Sequence, residues 1–168
     1  MRKIVLVISL FGLVVLAGCR KDDIGDKVQE LAPEIHQVIS GYRVNESGYL
    51  AYTDQQAESH VVFGTQKKGQ YLVVYLWSLL EGFDQAEGLE AVTGESVPLT
   101  MKLLNEGGDY QVAEVIYPVD GEGYGDSIEE MFPKEYYQQL MNESVEEHNE
   151  RINKLSEENK VKIDFKDN

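Results

Sequence analysis

Apolar and polar positions change their spacing several times along this chain of 168 residues. Ile4 to Leu16 is a nearly unbroken apolar run behind Arg2 and Lys3. Ile24, Val28, Leu31, Ile35, Val38 and Ile39 then recur at helical spacing and predict one amphipathic helix from Asp23 to Ser40. Pro33 either kinks this helix or opens a second one, since proline is tolerated in a first turn and costly inside, and Gly41 supplies a stop. Beyond Gly41 the period falls to two. Gly48 to Gln55 and His60 to Gln66 are predicted strands, with Lys67-Lys68-Gly69 as a turn. In the next run Tyr71, Val73, Tyr75, Trp77 and Leu79 line one face while Leu72, Val74, Leu76 and Leu80 line the other. Such two-faced apolarity marks a central strand covered on both sides, or one face under a helix and the other in a sheet groove. Val97, Leu99, Met101 and Leu103 alternate again, Asn105-Glu106-Gly107-Gly108 reads as a turn, and Tyr110 to Val119 completes a hairpin.

The order of these elements predicts an α+β fold, with an N-terminal helix packed on a curled antiparallel sheet of four to five strands in a cystatin-like outline. Pro133 opens a long C-terminal helix to Asn159, with Tyr137, Leu140, Met141, Val145, His148, Ile152 and Leu155 as its apolar stripe. Val161, Ile163 and Phe165 alternate as a short edge strand or fray at the terminus. The expected organisation is a leader over 1–18, a tether over 19–25, a helix-plus-sheet domain over 26–132, and a C-terminal helix and tail over 133–168.

The first run ends in Leu16-Ala17-Gly18-Cys19, a lipobox: a leucine, two small residues that fit a signal peptidase, and a cysteine whose thiol takes diacylglycerol. Ile4 to Gly18 would span roughly 22 Å as a helix, short of the ~30 Å hydrocarbon core, and a short apolar stretch behind a basic start is the secretory pattern. Cys19 is the single cysteine of the chain, so it has no partner for an internal disulfide. Acylated, it gives stable membrane anchoring through two or three chains, on the outer face of a cell membrane.

Cleavage before Cys19 removes Arg2 and Lys3 and takes the formal charge from −15 to −17 over the remaining 150 residues. A surface this acidic repels nucleic acid and anionic headgroups and favours cations or basic partners; it also keeps an exported domain soluble. The chain length fits one domain with its own core.

Site chemistry is sparse. Asp120, Glu122 and Asp126 fall at positions one, three and seven of a calcium loop with Gly125 at six, making this a weak cation loop. Tyr124 at five and Met131 in place of the bidentate Glu break the match. Gly121, Gly123 and Gly125 fail as a dinucleotide fingerprint because Asp126 stands where the last glycine belongs. His36, His60 and His148 are far apart in sequence, without an H-E-x-x-H pair, so no metal site is predicted. No serine sits in a G-x-S-x-G elbow. Tyr71, Tyr75 and Trp77 share a strand face that is either core or, if open, a stacking platform for a sugar or peptide. No cofactor is expected.

His60-Val61-Val62-Phe63-Gly64-Thr65, Tyr71 to Trp77, Asp109-Tyr110 to Val115, Pro118-Val119-Asp120-Gly121, Tyr124 and Met131-Phe132-Pro133 resemble a family of small extracytoplasmic lipoprotein domains of Gram-positive bacteria. Some domains of that kind are joined to sensor-like membrane proteins. The resemblance implies an accessory or sensory role and carries no catalytic residue onto this chain. The reading is a non-catalytic, lipid-anchored envelope protein that binds or regulates something at the membrane surface. It touches the membrane through Cys19, offers its C-terminal helix to another envelope protein, and avoids nucleic acid. The alternative is an exported hydrolase of cell-wall polymer or peptide whose site is assembled only by folding.

Overall fold

The computed structural model of the protein describes residues 31–165, apart from 47 and 51. Leu16, Ala17, Gly18 and Cys19, with the predicted tether and the helical positions Ile24 and Val28, lie outside the described residues. Among the described residues, no helix is long and apolar enough to cross a membrane.

Helix α1 runs Pro33–Glu46, so Pro33 opens a helix at its first turn. Gly41 does not stop it. The glycine is exposed, and Arg43, one turn beyond Ile39 on the packed side, is buried and holds the following turn to the sheet. Among the described residues, 48–54 do not form the predicted strand: Gly48–Leu50 is a 3-10 turn, and the Thr53 hydroxyl donates to the Leu50 carbonyl at 2.7 Å.

Four strands follow as an open antiparallel meander in the order β1-β2-β3-β4, with β1 at Gln55–Lys68, β2 at Tyr71–Phe83, β3 at Ala91–Glu106 and β4 at Asp109–Ile116. Gly107 and Gly108 both have positive φ, 71° and 111°, which is why only glycine suits the tight β3–β4 link. Pro98 sits in β3 opposite Trp77, but β4 pairs only from Thr100 onward, so the missing N–H falls where β3 has one neighbour.

Strand β2 is covered on both faces, as its two-sided apolarity requires. Val74 and Leu76 join Leu99 and Met101 of β3 under Ile35 and Ile39 of α1. Val73, Tyr75, Trp77 and Leu79 point the other way, into Ile128, Phe132, Leu140 and Leu155. Ile128, Leu140 and Leu155 come from three helices, α2 at Tyr124–Met131, α3 at Lys134–Met141 and α4 at Val145–Lys162, while Phe132 is the extended residue that caps the end of α2. The protein is thus α+β, with one helix on one side of the sheet and three on the other.

The single long helix expected from Pro133 is divided. Ser144 caps α4, accepting from the Glu147 amide at 3.2 Å while the Glu147 carboxylate accepts from the Ser144 amide at 2.8 Å. This capping box starts a new helix after α3 ends. Residues 163–165 form no strand; the Gln55 side chain pins this tail by paired hydrogen bonds with the Asp164 backbone at 2.8 and 3.1 Å.

Candidate functional site

Two places combine space with chemistry, one on each side of the sheet. Between α1 and β1 the fold unites residues that are remote in sequence. His36, Ser40 and Arg43 recur at helical spacing on α1, while Glu58 and His60 alternate on β1, so both sets face one seam. Glu58 is 1% exposed and is the hub. Its Oε2 accepts from Ser40 at 2.6 Å and lies 3.0 Å from His60 Nδ1, and its Oε1 accepts from Ser78 at 2.7 Å. His60 Nε2 in turn lies 2.7 Å from His36 Nδ1. Burial pushes the Glu58 carboxyl up, but the hydrogen bond and charge of His60, with the bonds from Ser40 and Ser78, outweigh it and hold the group below its ordinary value.

The seam continues through Arg43, whose Nε donates to Ser78 at 3.2 Å and whose Nη1 donates to the Tyr117 hydroxyl at 2.6 Å. Nη2 pairs with Glu95. From the other side of β1, Lys162 of α4 donates to the Glu58 carbonyl and, at 2.7 Å, to Ser59. A groove of about 440 Å³ opens beside His36, Ser40, Val44, Gln56 and Glu58.

This constellation is not ordered for acyl transfer. A nucleophilic serine needs a base that takes its proton, with the carboxylate behind that base. Here the carboxylate stands between Ser40 and His60, and a carboxylate held low and filled by three donors is a poor base. Its chemistry is that of a clamp tying α1 to β1 and β2.

The second place lies where α2, α3 and α4 meet over β2. Trp77 forms the floor of a pocket of about 310 Å³, walled by Tyr124 and Ile128 of α2, Met141 of α3, and Val145 and His148 of α4. The indole is held by three neighbours. Its N–H donates to Ser96 at 2.8 Å, His148 meets it edge-on at 5.3 Å, and the Arg151 guanidinium lies 4.3 Å from the ring centroid. Glu143 accepts from Arg151 at 2.8 and 2.6 Å and lies 3.3 Å from His148 Nδ1. The bonds from Arg151, with its charge and that of His148, hold the Glu143 carboxyl below its ordinary value against a smaller opposing effect of burial. The polar groups at this pocket are therefore committed to the walls, and the space is left to apolar contact. Its rim carries exposed apolar side chains, Met141 at 55% and Val145 at 79%.

On the aromatic strand face, Tyr71 is half-buried while Tyr75 and Trp77 are buried, as core packing of that face requires. Tyr75 is packed edge-on against Phe132 at 5.7 Å and beside Tyr136 at 5.4 Å, and its hydroxyl donates to Gln66 at 3.0 Å. Of Tyr71, Tyr75 and Trp77, only Trp77 lines the pocket beneath α2 to α4. Asp120, Glu122 and Asp126 are exposed on the turn and first residues leading into α2, and among the described residues no group of three or more acidic, histidine or cysteine side chains gathers as a metal site. Sequence spacing missed the seam, although the i, i+4, i+7 positions of His36, Ser40 and Arg43 and the i, i+2 positions of Glu58 and His60 carried its signal.

Comparisons with protein families, with curated proteins and with solved structures found no match to this chain.

Proposed function

We propose that the protein is a lipid-anchored envelope protein, held through Cys19 at the outer face of the cytoplasmic membrane, where it acts as a non-catalytic binding, sensory or accessory module. The observation that carries the binding role is the pocket over Trp77: pre-formed, apolar, rimmed by exposed Met141 and Val145, and without an uncommitted acid or base. The lipobox supports the address. The same reading groups the chain with the Gram-positive extracytoplasmic domains it resembles and keeps a cystatin-like relationship for the helix-then-meander half. The C-terminal helices are the surface offered to an envelope partner.

Metabolic labelling with an alkyne palmitate tests the anchor. Native protein takes up the label and fractionates with membranes, whereas Cys19→Ala does neither; an unlabelled native protein overturns the address.

Hydrolysis is the second reading, favoured by the convergence of Ser40, Glu58, His60 and His36 beside a groove. It is the weaker one, because the carboxylate separates the serine from the imidazole. Loss of a wall-polymer or peptide hydrolase activity in Ser40→Ala, with thermal stability kept, would reinstate it.

A further inference from the structure

We infer that the pocket over Trp77 receives an apolar side chain of a basic, amphipathic peptide segment. This rests on the binding role proposed above and adds the chemistry of the ligand.

The pocket supplies the apolar half of the match. It has the volume of a large side chain or two rather than of a cofactor, its floor is an immobilised indole, and its rim exposes Tyr124, Met141 and Val145. Exposed apolar side chains on three helices around one cavity are the arrangement by which a groove accepts anchors from an amphipathic helix.

Charge supplies the other half. Residues 120–150, which carry α2, α3 and the opening of α4, hold ten carboxylates against one lysine, Lys134, ahead of the basic residues Arg151 and Lys154 farther along α4. Nine of the ten are exposed; the tenth, Glu143, is neutralised by Arg151. Asp126, Glu129 and Glu130 stand on α2, Glu135 on α3, and Glu146 and Glu150 on α4. An apolar anchor flanked by Lys or Arg satisfies both features, whereas an anionic lipid or an acidic peptide satisfies the first and is repelled by the second. An unpaired second copy of this chain brings the same negative field and is disfavoured for the same reason.

The single tryptophan gives a direct readout, since Trp77 is the only indole in the chain. The full acylated chain in phosphatidylcholine vesicles is titrated with a non-aromatic Leu/Lys peptide carrying leucine at helical spacing, and separately with its Leu/Glu counterpart. Saturable change in Trp77 emission is expected with the Leu/Lys peptide, with an affinity about tenfold or more above the Leu/Glu peptide and falling as salt is raised. Glu146→Lys combined with Glu150→Lys lowers that affinity without altering the circular dichroism, and Met141→Ser combined with Val145→Ser removes the response to both peptides. Equal responses to the two peptides, or a response surviving the Ser substitutions, overturns the proposal. A Trp77 response to an uncharged alkyl maltoside but to neither peptide sinks the basic-peptide assignment and leaves the binding role standing; silence toward all three sinks both.

Discussion

His36 Nδ1 and His60 Nε2 stand 2.7 Å apart, with their rings stacked 20° from parallel, so one hydrogen is shared between α1 and β1 at this point. Ionised Glu58 accepts at 3.0 Å from His60 Nδ1, which places a hydrogen on that nitrogen. Three consecutive groups thus lock one another, and the lock is built on a carboxylate with almost no contact with water.

That carboxylate makes stability depend on pH with a definite sign. The folded Glu58 group titrates below its unfolded counterpart, so its contribution is present above the unfolded value and is lost as pH falls through the lower folded value. Glu58→Gln is expected to lower unfolding free energy by about 3 kcal/mol at neutral pH, because the histidine and two hydroxyls lose their common acceptor charge. Urea titrations of both proteins from neutral to acidic pH should show the gap between them closing only in the acid range. A gap that is constant with pH contradicts the assignment.

Arg43→Met tests the same seam from its other end. It strips donors from Ser78, Tyr117 and Glu95 together, and a loss of about 2 kcal/mol or more is expected. A double-mutant cycle with Glu95→Gln measures the share of the ion pair, which should be the smaller part because Glu95 retains access to water.

Gly64 lies at the irregularity in the β1–β2 pairing, and a Cβ there would stand 2.1 Å from the Tyr136 ring. Gly64→Ala should cost about 1–3 kcal/mol by displacing that ring from Tyr75. Combining it with Tyr136→Leu should cost less than the two changes added; strict additivity in thermal unfolding would refute the contact.

Ser144→Ala should cost about 1 kcal/mol by removing the α4 cap, and the loss should appear first as faster amide exchange at Glu146 and Glu147. Uniform exchange along α4 would show that the cap does not set where the helix begins.

The parts of the fold that could be read from the sequence are those where periodicity alone decides. Strand β2 shows it best: two interleaved apolar faces left no place for the strand except between layers. Elements set by a single local bond were harder to place. Gly41 looked like a stop, yet the buried Arg43 beyond it outweighed the glycine's cost. The division between α3 and α4 was written in Ser144-x-x-Glu147, but the surrounding stripe of apolar residues continued through it. Of the candidate site, Trp77 was legible as a residue, not as a floor, because its pocket is walled by Tyr124, Met141 and Val145 from three separate helices. The His36–His60 contact joins an unremarkable helix position to an unremarkable strand position, and only their pairing gives either one meaning.

Lys162 reaches Ser59 across 103 residues, and Asn159 reaches the Leu79 carbonyl across 80, while the sheet itself joins each strand to the next in sequence. A chain emerging amino end first can therefore assemble the meander as it appears, since each strand pairs with the one before it across a short loop. The fourth helix is the latecomer, and its arrival completes the walls around the indole. Until Val145 and His148 are in place, the indole stands with one side of its pocket unwalled.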